Sequence, residues 1–466
     1  MPRSRFALVF VLLCLAVPLA AADRGAANAA AFGPLTLLPP LLAIALAFLT
    51  RNVLLALSCG VFSGTLLLAA RAYGVAGALP QAFLDLVRRA QGAVADSWNA
   101  GILLQVFAIG GLIALMTRAG GLRAFAEKIA RRATTPAGAQ LTAWLLGFAV
   151  FFDDYANALI VGPAARPVTD RVRVSREKLA FIVDATSAPV AGMALISTWV
   201  AYELGLLHAA FTAIGSATPA WEVLVRTLPY RFYNIFILLF IPAAILMRRD
   251  FGPMLAAERR CRETGEVFRP GARPLQADEP ADGDAGGGAW LMFVPLLVLV
   301  TAAFAGFWYD GHAKIMAGPD EKLRLALQQA GSFSFEALRL AFGKASAATV
   351  LFQAALLAGL VSLGLWRWRQ KKPLADGITA WLSGARAMIL TAVVLVLAWS
   401  LSGVLKELGT AAWLARGLSG TLPPALLPAL IFLLGAVISF ATGTSYGTMG
   451  ILMPLAVPLA QAVGKG

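Results

Sequence analysis

Two adjacent carboxylates, Asp153 and Asp154, stand between two apolar runs, residues 137 to 152 and 155 to 168. A third, Asp184, lies in the middle of a further apolar run, 178 to 204, with Thr186 and Ser187 close behind it. Asn157 follows Asp153 by four residues, about one helical turn. These side chains offer oxygen. Hard cations such as sodium take oxygen ligands, and the absence of His and Cys from these runs argues against zinc or copper. Neighbouring carboxylates in a poorly solvated place do not both ionise cheaply, so protons compete with a metal ion for the same atoms. That competition, joined to alternating access, is the minimum chemistry of cation/proton exchange. Each Asp at a bilayer centre costs about 2.5 to 3.5 kcal/mol, so some function or partner must offset it. The plain alternative is that the pair caps a helix N-terminus at the interface, where carboxylates are favoured.

The elements that must position these residues are membrane helices. The chain has 466 residues, is 59% hydrophobic and 14% charged, and has a mean hydropathy of +0.75. That composition implies an all-α polytopic membrane protein. Lys and Arg outnumber Asp and Glu by 39 to 25, a net charge of +14. The basic residues fall in short clusters between apolar runs, which is the positive-inside pattern and not a nucleic-acid footprint. Cys14, Cys59 and Cys261 have no spacing that suggests a disulfide framework or metal site. Residues 1 to 22, a basic stub followed by an apolar core, read as a signal peptide. Residues 249 to 288 are charged and rich in Gly and Pro, so they read as a solvated cytoplasmic linker, including the string ERRCRETGEVFR. The linker separates a first transmembrane repeat, 34 to 248, from a second, 289 to 459.

The repeat is visible when DYANALIVGPAARP (154 to 167) is laid over SYGTMGILMPLAVP (445 to 458): Tyr155, Pro163 and Pro167 fall on Tyr446, Pro454 and Pro458. Five basic residues lie within 118 to 136 and five more within 164 to 178, placing both flanks of the first doublet in the cytoplasm. The doublet is therefore predicted to be a re-entrant hairpin, or a pair of thin spans, with FDDYAN at its turn. The second doublet, 423 to 441 and 446 to 459, has few basic flanks and is predicted to enter from outside, giving inverted topology. There Thr444 and Ser445 replace the aspartates, as for a polar tip whose charge is needed once. In the run 178 to 204, Pro189 cannot donate to the carbonyl of Ala185 and Gly192 adds freedom, which predicts unwinding beside Asp184, Thr186 and Ser187. Pro163 and Pro454 are predicted to release carbonyls inside the two hairpins. The alternative, in which the hydroxyls bond back to their own helix and Pro189 only kinks it, stays open. By its own repeat the second half lacks a counterpart of the Asp184 helix, so it reads as C-terminally truncated. Glu203 is read as an interfacial anchor, and His208 and His312 are assigned to external loops.

The strings FFDDYANALIVG, RPVTDRVRVSREKLAFIVDATSAPVAGMALISTW and SFATGTSYGTMGILMPLA resemble the NhaC-type sodium/proton antiporter family of the ion transporter superfamily. The resemblance covers most of residues 34 to 459. It implies inverted repeats, each with a re-entrant hairpin and a broken helix, and a transport site between hairpin tips and breaks. Carried over by position, that site groups Asp153, Asp154, Asn157, Asp184, Thr186 and Ser187 with Thr442, Thr444, Ser445 and Thr448. The three aspartates would meet Na+. The expectations are a multi-pass transporter of the bacterial inner membrane, no enzymatic activity, and no cofactor beyond the transported Na+ and H+. The bilayer is the other partner, with a homodimer left open. Relatives of such folds also move organic carboxylates, but that site wants a fixed cation, and the predicted midplane segments contain no Lys or Arg. An intramembrane aspartyl protease would carry a Gly-x-Gly-Asp string, which is absent. The Na+- or H+-coupled carboxylate transporter stays the alternative, with a non-transporting scaffold more remote.

Overall fold

The computed structural model describes residues 25–121, 124, 133–272, 288–331, 334–418, 423–442 and 445–464. The predicted signal peptide, part of the linker and Thr444 lie outside the described residues, as does the side chain of Thr442. Every regular element among the described residues is helical. Along the chain they are α1 (Gly25–Thr50), α2 (Val53–Ala95), α3 (Ser97–Arg118), α4 (Pro136–Ala149), α5 (Asp154–Arg171), α6 (Arg176–Met193), α7 (Thr198–Ala213), α8 (Ala220–Thr227), α9 (Phe232–Met247) and α10 (Gly252–Thr264). They continue with α11 (Trp290–Ala317), α12 (Glu321–Ala330), α13 (Phe335–Lys344), α14 (Ala347–Arg369), α15 (Leu374–Ala387), α16 (Ile389–Leu408), α17 (Thr410–Leu418), α18 (Leu427–Thr442) and α19 (Ser445–Gly464). Among the described residues seven helices are long and apolar enough to cross a membrane, or nine when two bent pairs, α6 with α7 and α8 with α9, each count as one span. The protein is a multi-pass membrane protein. The sequence assigned His208 and His312 to loops, but they lie within α7 and α11. Glu203 likewise lies inside α7.

Several element boundaries recur at one spacing. Leu427, which opens α18, lies 291 residues after Pro136, which opens α4, and Ser445 at the start of α19 lies 291 after Asp154 at the start of α5. Helices α3 and α16 correspond at nearly the same spacing. Neither α4 nor α5 is among the helices able to cross alone. The 14 residues of α4 reach about 21 Å, well short of a hydrocarbon core of about 30 Å.

The contacts divide the chain into two compact units, each discontinuous in sequence. One holds the described residues up to Ala100 with Tyr202–Ala220 and Leu390 onward; the other holds Gly101–Ala201 and Trp221–Ile389. In the first, α1 packs on α2, and α19 packs on α17 and α18. In the second, α4, α5, α6 and α9 form one cluster, while α11 is covered by α13 and α14.

The local sequence explains the ends of the hairpin helices. Thr135 caps α4 by accepting a hydrogen bond from the Gly138 amide at 3.0 Å, with Pro136 in the first turn where its missing N–H costs nothing. Ser175 caps α6 in the same way through the Lys178 amide at 3.2 Å.

The linker departs from expectation. Residues 252 to 264 form α10, which packs on α6, with Glu258 1% and Cys261 0% exposed. The mixed-charge string that read as solvated surface supplies docking contacts instead, because its charges find opposite partners at the start of α6.

Candidate functional site

The first hairpin turns at residues 150 to 153, where Val150 leaves helical geometry (φ −110°, ψ 54°) and α5 begins at Asp154. Asp153 is buried, 3% exposed, and its carboxylate Oδ2 accepts a hydrogen bond from the Thr198 hydroxyl at 2.9 Å. The Thr198 amide donates to the Phe152 carbonyl at 3.0 Å, so the start of α7 grips the hairpin tip by both backbone and side chain. One turn along α5, Asn157 is fully buried. Its Nδ2 donates to the carbonyls of Gly147 at 2.7 Å and Val150 at 3.1 Å, which the end of α4 leaves without helical partners. Those two bonds settle which end of the amide is which. Asn157 Oδ1 is buried and has no hydrogen-bond donor among the described residues. A buried acceptor left in that state costs about 1 to 3 kcal/mol unless a cation or donor reaches it.

The broken helix differs from the sequence reading. Helix α6 runs through Asp184, Thr186, Ser187, Pro189 and Gly192 to Met193, and the break falls at residues 194 to 197 with a bend of 49°. The chain is therefore not unwound beside Asp184. Thr186 donates to the carbonyls of Ile182 at 2.8 Å and Val183 at 3.1 Å, and Ser187 to that of Asp184 at 2.9 Å, so both hydroxyls serve their own helix. Pro189 removes one ladder bond, and the flanking turns persist because side chains from α9 and its N-terminal edge take carbonyls near the helix end. Asn234 Nδ2 donates to the Pro189 carbonyl at 3.1 Å, and the Arg231 guanidinium donates to that of Gly192. Pro163 and Pro454 likewise sit inside continuous helices, α5 and α19. At the break Ser197 donates to the Ala191 carbonyl at 2.8 Å and accepts from the Val200 amide at 3.1 Å, capping α7. A Cβ on Gly147 would stand 2.5 Å from Thr186 Oγ1, so glycine is required for α4 to lie this close to α6.

The structure thus brings Asp153 to the α7 start and sets Asn157 one turn along α5. Asp154 sits half-buried in the first turn of α5, where its charge is favourable to the helix end. Asp184 is exposed, halfway along α6. In the other unit Ser445 begins α19 half-buried and Thr448 follows one turn on, 7% exposed. Beside them the Tyr202 hydroxyl donates to the Tyr446 carbonyl, and the two rings meet edge to face at 4.8 Å. Among the described residues no three of His, Cys, Asp and Glu gather closely enough to hold a metal ion. Any cation here needs amide, hydroxyl or carbonyl oxygens as well.

Sequence reasoning missed Ser197, Thr198, Arg231 and Asn234. Ser197 and Thr198 were readable as the cap signal that restarts a helix after a break. Arg231 precedes the apolar run 232 to 247 and so looked like a flank, yet it supplies a fixed cation at the break.

A polytopic helical membrane protein with a buried carboxylate at a hairpin tip and a broken helix against it belongs among the secondary transporters. The family model described as Na+/H+ antiporter family matches residues 190–465, from the end of α6 through the second hairpin. The chain is also 32% identical over 431 residues to an uncharacterized protein of Haemophilus influenzae, an alignment covering 91% of this chain and 77% of that relative. No solved structure matches significantly. The chain belongs to the Na+/H+ antiporter family.

Proposed function

We propose that the protein exchanges Na+ for H+ across the bacterial inner membrane and that the first hairpin holds the cation. The observation that carries this reading is Asn157 Oδ1, a buried acceptor whose amide is fixed by two carbonyls and which has no donor among the described residues, on the same helical face as the buried Asp153. An anionic and a neutral oxygen one turn apart suit a hard monovalent cation that must also leave. Asp153 carries the charge, Asn157 adds a neutral ligand, and Thr198 keeps the carboxylate oriented. A proton arriving at Asp153 removes the charge that attracts Na+, so occupancy by either species excludes the other. Asp154 and the exposed Asp184 are assigned to passing ions and protons to this site. Thr442, Thr444, Ser445 and Thr448 are assigned as neutral oxygens of the second hairpin, which enters from the opposite side of the membrane.

The test is a proteoliposome assay with an internal pH-sensitive dye, adding Na+, Li+ and K+ in turn. Na+-dependent proton movement is expected in the wild type, with none in Asp153→Asn and a weakened Na+ dependence in Asn157→Ala. Undiminished exchange by Asp153→Asn moves the site elsewhere, with Asp184 next in line.

A further inference from the structure

The segment from Arg231 to Arg260 touches α6 at both of its ends. At the break end Arg231 and Asn234 hold the carbonyls of Gly192 and Pro189. A Cβ on Gly192 would stand 3.0 Å from Asn234 Nδ2, so the amide packs tightly against the glycine. At the other end, some 27 Å away for an 18-residue helix, the contacts are ionic. Glu258 Oε1 accepts from both the amide and the hydroxyl of Ser175, at 2.8 and 2.7 Å. Lys178 pairs with Asp250, their side chains only 4% and 11% exposed. Arg260 reaches both carboxylate oxygens of Glu177, at 3.1 and 2.9 Å. The backbone of Arg176 donates to the Val267 carbonyl at 2.9 Å, and its guanidinium pairs with Asp170 at the end of α5.

We propose that this segment is a two-point clamp that sets the position of α6, and that Glu258 and Asn234 are positioning residues for ion binding. The path is continuous. Glu258 fixes Ser175, Ser175 opens α6, α6 runs helical to Met193, and five residues further on, past the bend, Thr198 holds the Asp153 carboxylate. A slip of α6 along its axis therefore moves the Thr198 hydroxyl relative to Asp153 Oδ2. The burial of Glu258 and Lys178, the latter paired with the half-buried Asp250, fits this role, since charges taken out of water hold one geometry and lose their compensation when it changes. Nothing in a solvated linker would require such a set.

The inference rests on Asp153 being the ion site, and the experiment separates the two ideas. Cys261, three residues after Glu258 on α10, is a buried free thiol and a built-in reporter of clamp opening. In the full chain carrying Cys14→Ser and Cys59→Ser, two quantities are read on purified protein: the rate of Cys261 alkylation by a maleimide and the affinity for radioactive sodium. Glu258→Ala is expected to speed alkylation at least tenfold and to raise the Na+ Kd at least fivefold. Glu258→Gln keeps an oxygen for both Ser175 donors and is expected to restore both readings toward wild type. Asn234→Ala opens the far end and is expected to weaken Na+ binding while Cys261 stays protected, which also serves if Glu258→Ala does not fold. Asp153→Asn is expected to abolish binding with alkylation unchanged. Wild-type Na+ affinity in Glu258→Ala despite fast alkylation, or in Asn234→Ala, overturns the clamp as a positioning device. Absence of Na+ binding by the wild type overturns the ion-site reading instead, and with it the purpose of the clamp.

Discussion

Replacing Thr198 by valine keeps the side-chain volume and removes the hydroxyl that donates to Asp153. Both groups are buried and 2.9 Å apart, and no bulk water stands ready to replace the lost donor. A hydrogen bond to a charged group contributes about 1.5 to 3 kcal/mol, whereas a neutral one contributes about 0.5 to 1.5. Thr198→Val is therefore expected to destabilise the wild type by about 1.5 to 3 kcal/mol, and the Asp153→Asn background by about 0.5 to 1.5. The difference, a coupling of about 1 kcal/mol or more, belongs to the charge on Asp153. Asp153→Asn by itself is expected to be neutral or stabilising, because removing a carboxylate from the membrane relieves up to about 2.5 to 3.5 kcal/mol of insertion cost. The assay is reversible unfolding of the four proteins in detergent micelles, followed by tryptophan fluorescence. Additivity within about 0.5 kcal/mol would refute the assignment of Thr198 as the partner of an ionised Asp153.

Asn157→Ala strands the carbonyls of Gly147 and Val150, and at about 1 to 3 kcal/mol for each unsatisfied group it is expected to cost about 2 to 6 kcal/mol, read as a lowered unfolding midpoint. On α10, outside the membrane-spanning helices, burial and then the Glu258 carboxylate push the Cys261 thiol above its ordinary value of 9.0. The folded state thus holds that proton more tightly than the unfolded one, so this contribution to stability is complete below the ordinary value and is lost as pH rises past it. Maleimide labelling of Cys261 should accelerate above that pH by more than free thiolate formation explains, and a rate tracking a free thiol throughout would count against docking of α10. Single cysteines at Arg173 and Leu426, next to the two hairpins, are expected to label from opposite sides of the membrane; labelling from one side rejects inverted topology.

Much of the fold could be read from the chain because the bilayer leaves a polypeptide so few choices. Apolar runs of spanning length become helices there, since unpaired backbone groups in hydrocarbon cost too much. The hairpin at Asp153 was legible for the same reason, two short apolar legs around a polar turn. The broken helix was legible as a feature but misplaced. Proline and glycine mark where a helix is weakened, while the place where it stops depends on which carbonyls find other donors, and those donors come from Arg231 and Asn234, about 40 residues away. The linker was misread because composition reports average solvation, and α10 docks through a few charges whose partners are set by tertiary contact.

The sequence by itself determined the class of protein, the rough extent of its apolar runs, and which carboxylates lie within or beside them. These follow from local composition, and the energy of transferring a residue into lipid is set largely by that residue and its neighbours in the helix. Only the tertiary structure decided that Asp153 is buried against Thr198 while Asp184 is exposed, that the hydroxyls of Thr186 and Ser187 are spent on their own helix, and that Asn157 keeps one oxygen without a donor among the described residues. Those outcomes depend on which polar atoms from distant segments reach one another first, and a hydrogen bond is decided within a few tenths of an ångström that no residue spacing records.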